Sequence, residues 1–296
     1  HLMIFNKVVK SIQNDGMYVT MKKINHLFFL FFRRIYWKSK YFFNLLLGKN
    51  GRYVNHKYAK EFDITFYTPS WRSWMRAVLA HEKENITQSW IKNMSANEVL
   101  WDIGANVGVF SLLAAKLRVK VVSFEPLYTN YHNLCRTIEL NKDIAKLITV
   151  LPIAVSNKSM VNYFFIPSSE AGFSGSSFGE PINEQGEKLN YLYKTAVLGM
   201  SGDDVQKLLP DDLSGPDYIK IDVDNIEHKI IQGLEDVIKN QNLKSVLIEM
   251  NDEWLEKKIY IVSILNANGF VNHIADREPT VLDRPCTTYN YIFRRK

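Results

Sequence analysis

The stretch from Val99 to Leu117, VLWDIGANVGVFSLLAAKL, constrains the fold more than any other part of this 296-residue chain. An apolar run that contains one carboxylate, Asp102, leads into two glycines, Gly104 and Gly108, and an Ala- and Leu-rich run follows. This order predicts a buried strand, a tight turn and a helix, a unit that brings the backbone close to a nucleotide-like ligand. Gly104 can take a conformation closed to other residues, and Gly108 lets the helix pack against the strand.

Strand and helix patterns alternate from this stretch to the end of the chain. Further strands are predicted at 61–67, 120–124, 147–155, 218–223, 244–249, 270–275 and 288–293. Helices are predicted at 82–94, 128–141, 203–209, 226–238 and 257–267. Residues 167–190, rich in Ser, Gly and Glu, are predicted to form a long surface loop. The alternation predicts an α/β fold, with a mostly parallel sheet covered on both faces.

Positive charge is concentrated at the N-terminus. Residues 1–60 contain 12 Lys and Arg with one acid, Asp15, whereas the rest of the chain contains 25 basic and 30 acidic residues. Within this segment, 22–47 predicts an amphipathic helix with an aromatic face beside a basic face. We predict that 1–60 forms a basic helical extension and that 61–296 forms the main domain.

Three uses of the 22–47 helix stay open. Its composition suits an anionic membrane surface. Its apolar face suits packing on the main domain or on a second subunit of a homo-oligomer. As a basic arm it suits nucleic acid, which we consider the least favoured use.

The hydrophobic segments and the cysteines indicate in which cellular compartment the protein is expected. The most hydrophobic window, 24–32, is too short to span a membrane. Cys135 and Cys286 lie far apart without metal-ligand spacing, so a reduced cytoplasmic setting is the simplest expectation. A helix on lipid would place the protein at the inner membrane face.

Two kinds of ligand compete for the glycine turn. A dinucleotide site needs three glycines for its pyrophosphate, whereas this turn has two, with Asn106 between them. Asp102 would repel a pyrophosphate but suits an ammonium and a sulfonium. Glu125 ends the next predicted strand, where an acid accepts the ribose hydroxyls in either kind of site. Together these residues favour S-adenosylmethionine.

Four motifs in order carry a family resemblance. WDIGANVG at 101–108, FEP at 124–126, IKIDVDNIEHKIIQGL at 219–234 and VLIEMN at 246–251 resemble the FkbM family of methyltransferases. The resemblance implies a class I methyltransferase fold, Rossmann-like, with a mostly parallel seven-stranded sheet whose last strand is antiparallel. It also implies S-adenosylmethionine as cofactor and hydroxyls of sugars or natural products as acceptors.

The chain departs from this family pattern at Asn225, where the family usually has glycine. Asparagine tolerates a left-handed backbone better than most residues, so we expect the turn to survive.

The predicted cofactor contacts follow from these motifs. Asp102 would fix the amino group of the methionine part, and Glu125 would bind the ribose. The residues that would shape the turn or flank the adenine are Gly104, Asn106, Gly108, Ile153 and Ala154. Structural alternatives remain open, because an Asp at a strand end can cap a turn and an apolar pair after a strand can be core.

Asp222 and Glu249 end the fourth and fifth strands of the predicted sheet, at the edge where ligands bind. Methyl transfer to a hydroxyl needs a base, so we predict these two carboxylates to be catalytic. In an alternative arrangement, Asp222 with Glu249 or Asn251 holds Mg²⁺, which would lower the pKa of the acceptor hydroxyl.

The sequence therefore predicts an S-adenosylmethionine-dependent O-methyltransferase acting on a sugar, a glycan precursor or a natural product. An RNA methyltransferase with a basic N-terminal arm is a first alternative, which the acidic balance of 61–296 disfavours. A catalytically silent cofactor-binding or interaction protein is a second, suggested by Asn225.

Overall fold

The computed structural model describes residues 53–58, 62–183, 185–279 and 287–296, together with the isolated positions 35 and 39. The four ranges belong to the larger of two units into which the chain divides, residues 52–280 with 287–296. The predicted helix over 22–47 lies outside the described residues apart from the two isolated positions, as does the predicted boundary at residue 60, so both stay predictions. Within the described ranges, no helix is long and apolar enough to cross a membrane.

The described ranges contain thirteen strands and nine helices. The strands are β1 (Tyr53–Tyr58), β2 (Phe62–Tyr67), β3 (Val99–Ile103), β4 (Lys120–Phe124), β5 (Ile148–Leu151), β6 (Ala154–Ser156), β7 (Met160–Ile166), β8 (Ser177–Phe178), β9 (Tyr193–Ser201), β10 (Tyr218–Ile221), β11 (Ser245–Asn251), β12 (Phe270–Pro279) and β13 (Thr288–Arg295). The helices are α1 (Trp71–Lys83), α2 (Asn85–Lys92), α3 (Val109–Lys116), α4 (Tyr128–Leu140), α5 (Gly202–Leu208), α6 (Asp211–Ser214), α7 (Glu227–Gln232), α8 (Glu235–Lys239) and α9 (Leu255–Ala267). A single 3-10 turn covers Ala145–Leu147.

Seven strands form the main sheet, in the order β12-β13-β11-β10-β3-β4-β5. Neighbours among β11, β10, β3, β4 and β5 are parallel, whereas β13 pairs antiparallel with both β11 and β12. This arrangement confirms the predicted α/β class I methyltransferase fold, including the antiparallel last strand.

Apolar cores cover both faces of this sheet. Trp101 and Ile103 on β3 belong to the core on one face, and Leu100 belongs to the core on the other. All five residues of β3 are buried, as expected of a central strand in a parallel sheet. The predicted strand and turn at the centre of the chain therefore form the middle of the domain.

Three predicted elements are divided in the structure. The helix predicted at 82–94 is preceded by α1, which was not predicted, and α2 begins only after Glu84. The strand predicted at 147–155 is two strands, because Pro152 lacks an N–H and separates β5 from β6, which joins another sheet. The helix predicted at 226–238 divides at Gly233, where a Cβ would come within 2.1 Å of the Ser156 carbonyl oxygen.

A second sheet, in the order β6-β9-β7-β8, was not predicted. The strand β8 and an isolated bridge between Ile182 and Lys188 both lie in the segment 167–190, which was predicted to be a surface loop. That prediction was wrong in part, because Ala171, Ser177 and Phe178 are buried. Four residues of this segment, Phe173, Ser174, Ser176 and Phe178, line the cleft that is described below.

Candidate functional site

A cleft opens at the carboxyl ends of β3, β4 and β10, with about 770 Å³ of empty space that includes its solvent-facing mouth. We call it the first cleft. Parallel α/β sheets bind ligands at this edge. The predicted site residues that line it are Gly104, Asn106, Glu125, Ile153, Ala154 and Asp222. Three other predicted residues, Asp102, Gly108 and Glu249, lie outside its lining.

The glycine turn after β3 is as tight as the sequence predicts. Gly104 has φ +85°, and a Cβ there would lie 2.0 Å from the carbonyl oxygen of Asp222. Asn106 also has a positive φ, 52°. Gly108 precedes α3 with φ +84°, and a Cβ there would lie 2.1 Å from Cδ1 of Leu134. Gly108 therefore serves the packing of α3 against α4, whereas Gly104 and Asn106 face the first cleft.

Glu125 lies directly after β4 and is buried. Its Oε2 accepts a hydrogen bond from the Asn106 N–H at 2.8 Å, and its Oε1 accepts one from the Leu127 N–H at 2.9 Å. Burial raises the pKa of Glu125 to about 7, although these hydrogen bonds lower it. The carboxyl group is thus fixed between the glycine turn and the start of α4, on the wall of the first cleft.

Residues 170–178, which we call the cleft wall, contribute Phe173, Ser174, Ser176 and Phe178 to the lining of the first cleft. The carbonyl oxygen of Phe173 accepts hydrogen bonds from the side-chain amides of Asn106 at 3.1 Å and Asn130 at 3.0 Å. The Gly172 N–H donates to Asn130 Oδ1 at 2.7 Å. Sequence reasoning did not find Asn130 or Phe173, because no local pattern distinguishes them from ordinary helix and loop residues.

Two further contacts fix the cleft wall to α1 and to the end of β10. Arg76 Nη2 donates to Ser174 Oγ at 2.9 Å, and Arg76 Nε donates to the Gly172 carbonyl at 3.3 Å. The Gly175 N–H donates to Asp224 Oδ2 at 2.7 Å. The wall is therefore attached to several elements that are distant in sequence.

Two buried polar atoms in the first cleft lack a partner among the described residues, Asn106 Oδ1 and Ser176 Oγ. Buried polar atoms in proteins nearly always have hydrogen-bond partners, so these two indicate a polar ligand. The rest of the lining includes apolar side chains such as Leu127, Phe164 and Phe178. An apolar surface, a fixed carboxyl group and unpaired polar atoms fit the predicted S-adenosylmethionine.

A buried charge network lies beneath the glycine turn. Lys220 Nζ lies 2.7 Å from Asp222 Oδ2 and 3.8 Å from Asp102 Oδ1, and the side chains of Lys220 and Asp102 are 2% and 1% exposed. Ser111 Oγ donates to Asp102 Oδ2 at 2.5 Å. Burial raises the pKa of Asp102, and the positive charge of Lys220 opposes that shift. Asp102 therefore faces Lys220, and its predicted contact with a methionine amino group stays a prediction.

The side chains of Asp222 and Glu249 share a hydrogen bond, and their pKa values shift in opposite directions. Burial raises the pKa of Asp222, but the charge of Lys220 and hydrogen bonds with Glu249 and Lys220 outweigh it and lower that pKa to about 2. Burial and the negative charge of Asp222 raise the pKa of Glu249 well above its usual range. Asp222 therefore stays ionised, whereas Glu249 keeps its proton to a higher pH than an ordinary glutamate does.

This donor set does not fit the predicted Mg²⁺ site. The Asp222 carboxylate is already paired with the Lys220 ammonium at 2.7 Å, which makes it a poor ligand for a hard divalent cation. In the described ranges, no group of three or more His, Cys, Asp and Glu side chains is arranged to hold a metal ion.

Asn225 takes the left-handed conformation that the family pattern implies, with φ +78°. Its side-chain amide donates to the carbonyl of Asn183, and its own carbonyl accepts a hydrogen bond from Lys257 Nζ at 3.0 Å. The prediction that asparagine preserves this turn is confirmed.

Residues 102–271 match the family model described as the Methyltransferase FkbM domain. The chain is also similar to the solved structure of methyltransferase FkbM from Methylobacillus flagellatus KT, with 17% identity and a TM-score of 0.48 over 72% of this chain and 49% of that one. It thus spans about half the length of that protein.

Two other solved structures are similar to the chain at lower TM-scores. Precorrin-6y C5,15-methyltransferase from Geobacter metallireducens GS-15 has 14% identity and a TM-score of 0.44, over 78% of this chain and 94% of that one. TYW2 from M. jannaschii, solved in complex with AdoMet, has 16% identity and a TM-score of 0.43, over 83% and 87%. No curated protein matches the chain.

Proposed function

Because the chain belongs to the FkbM methyltransferase family, we propose that it transfers a methyl group from S-adenosylmethionine to a hydroxyl of a sugar, glycan precursor or natural product. One observation carries the proposal. The first cleft brings Glu125, Asn106 and Asp222 together around Gly104, at the edge of the sheet where this fold binds ligands.

The cofactor would lie along the first cleft. Glu125 would accept hydrogen bonds from the ribose hydroxyls, and Ile153 with Phe164 and Phe178 would contact the adenine. The unpaired Asn106 Oδ1 would accept a hydrogen bond from the ammonium of the methionine part. When bound, S-adenosylmethionine supplies an electrophilic methyl group on a sulfonium.

Asp222 would take the proton of the acceptor hydroxyl. Its pKa of about 2 keeps it ionised at neutral pH. A weak base is sufficient here, because the hydroxyl proton becomes strongly acidic as the oxygen forms its new bond to carbon. Lys220 would keep the carboxylate charged, and Glu249 would fix its orientation through their shared proton.

An RNA acceptor is less favoured by the described residues. The basic arm on which that alternative depends lies outside them. Asp222 and Asp224 line the first cleft, and Asp224 also lines the second; their carboxylates would repel a phosphate backbone. Affinity for RNA that falls steeply with rising salt would support this alternative.

Isothermal calorimetry with S-adenosylmethionine tests the cofactor. We expect the wild type to bind and Glu125→Gln to bind about tenfold or more weakly, a loss of about 1.4 kcal/mol. Glu139→Gln makes the same chemical change at an exposed position on α4 and should leave the affinity unchanged. A wild type that does not bind S-adenosylmethionine would refute the proposal.

Transfer of a labelled methyl group to a panel of sugars and glycan precursors tests the reaction. Asp222→Asn should keep cofactor binding and lose transfer. A protein that binds the cofactor and methylates no member of the panel would favour the catalytically silent alternative.

Association of the 22–47 helix with anionic lipid is a separate part of the proposal. Its support is the basic and aromatic composition of that segment. Sedimentation with vesicles rich in phosphatidylglycerol should carry down the full chain but not a chain with its basic side chains in 22–47 replaced by glutamine. If the full chain and the glutamine variant sediment to the same extent, or if neither sediments, the proposed association with lipid is wrong.

A further inference from the structure

A second cleft, with about 470 Å³ of empty space including its mouth, lies beside the first and outside the cofactor position proposed above. Its lining combines a tryptophan with many hydrogen-bonding side chains. These are Asp224, Asn225, Glu227, Glu249, Asn251, Trp254, Lys257, Lys258 and Thr288. We propose that the second cleft binds the acceptor and selects an uncharged polyhydroxylated ring, with Trp254 as its main contact. This inference rests on the proposed function, because it assigns the acceptor to a cleft of the same site.

The two clefts share a wall at the carboxylate pair. Val223 and Asp224 line both clefts, whereas Asp222 lines the first and Glu249 lines the second. Asp222 and Glu249 are hydrogen-bonded to each other. The proton-accepting pair therefore lies between a cofactor in the first cleft and a ligand in the second, as methyl transfer to that ligand requires.

Trp254 is held in place at the rim of the second cleft. It is half-buried, and Lys257 Nζ lies 3.4 Å from the centre of its ring. The ammonium of Lys257 is fixed in turn by the Asn225 carbonyl at 3.0 Å. A sugar ring combines apolar C–H surface with a rim of hydroxyls, which suits an aromatic side chain surrounded by hydrogen-bonding groups.

The charges of the lining favour an uncharged ligand. Burial raises the pKa of Glu227 to about 8, so at neutral pH it is mostly a neutral acid that donates and accepts hydrogen bonds. Lys258 is paired with Asp252 at 2.7 Å. Phosphate sites in proteins gather several cations on one group, whereas the lining of this cleft sets the carboxyl groups of Asp224, Glu227 and Glu249 among its two lysines. A neutral sugar fits this balance better than a phosphorylated ligand or a nucleic acid.

Saturation-transfer NMR tests the inference with defined probes. The probes are the methyl glycosides of glucose, galactose, mannose and rhamnose, measured with the full chain in the presence of S-adenosylhomocysteine. We expect at least one glycoside to receive saturation from the wild type. Trp254→Ala should weaken that binding by about tenfold or more, and Trp254→Phe should retain part of it, since the aromatic contact is a large share of such binding.

Two controls accompany the variants. Trp71→Ala removes a tryptophan from α1 that lines neither cleft and should leave glycoside binding unchanged. The affinity of Trp254→Ala for S-adenosylmethionine should equal that of the wild type, which shows that the variant folds.

The outcomes separate this inference from the proposed function. Cofactor binding without glycoside binding, or glycoside binding that Trp254→Ala does not change, would overturn the inference and leave the proposed function standing. Glycoside binding that depends on Trp254, in a protein that does not bind the cofactor, would support this inference and refute the proposed function. Methyl phosphate or a short single-stranded RNA that displaces the glycoside would contradict the assignment of an uncharged ligand.

Discussion

Replacement of Lys220 by methionine tests the buried charge network most directly. Methionine has a similar length and is apolar, so the variant removes the charge and leaves the volume nearly unchanged. In the wild type Lys220 Nζ lies 2.7 Å from Asp222 and 3.8 Å from Asp102. Removal of one partner from a buried ion pair costs about 3 to 5 kcal/mol, because the remaining charge is left without compensation. We expect a loss of this size in the free energy of unfolding at pH 7.

The loss should depend on pH. In the wild type the pKa of Asp222 is lowered to about 2, so its contribution to stability is fully present above its ordinary pKa of 3.8 and is lost as pH falls through about 2. Without Lys220, burial raises the pKa of Asp222 and Asp102, and protonation relieves the uncompensated charge. The difference in stability between wild type and Lys220→Met should therefore be largest near pH 7 and should narrow toward pH 4.

Urea unfolding followed by circular dichroism at pH 7, 5.5 and 4 measures this difference. Lys239→Met is the control, since its pair with Glu235 is exposed and screened by solvent, so its loss should leave the free energy of unfolding nearly unchanged. The double variant Lys220→Met with Asp222→Asn should recover part of the stability. A loss below about 1 kcal/mol that is constant with pH would refute the reasoning.

Three further predictions follow from other contacts. The affinity for S-adenosylmethionine, measured by calorimetry, should fall between pH 8 and pH 6, because protonation of Glu125 through its pKa of about 7 removes an acceptor; Glu125→Gln should show no such fall. Asn225→Gly should change the free energy of unfolding by less than about 1 kcal/mol, whereas Asn225→Val should cost more than about 1 kcal/mol, since a branched side chain strains a φ of +78°. Arg295→Met should cost about 2 to 3 kcal/mol in denaturant unfolding, because its guanidinium donates to four backbone carbonyls; Lys296→Met should be neutral.

The centre of the domain could be predicted because its signals are local. The burial of β3, the positive φ of Gly104 and the position of Glu125 after β4 each follow from a few neighbouring residues. The left-handed Asn225 also followed from residue type and motif position. These features depend on backbone sterics and apolar runs, which act over short distances along the chain.

The walls of the site could not be predicted because distant contacts form them. Phe173 is held at the first cleft by hydrogen bonds with Asn106 and Asn130, which lie 67 and 43 residues away. The burial of Lys220 between two carboxylates likewise depends on the pairing of β10 with β3. No local pattern in the sequence marks Lys220 as the partner of Asp222 and Asp102, whereas the structure shows these ion pairs.

Asn225 has a side chain that donates a hydrogen bond, which the glycine usual at this position of the motif could not do. Its side chain joins the turn after β10, which lines the second cleft, to Asn183, 42 residues earlier. It thereby fastens the excursion of the chain between β8 and β9 to that turn. Relatives with glycine at this position have no side chain for that tether. The identity of this one residue and the length of the preceding excursion should therefore change together across the family.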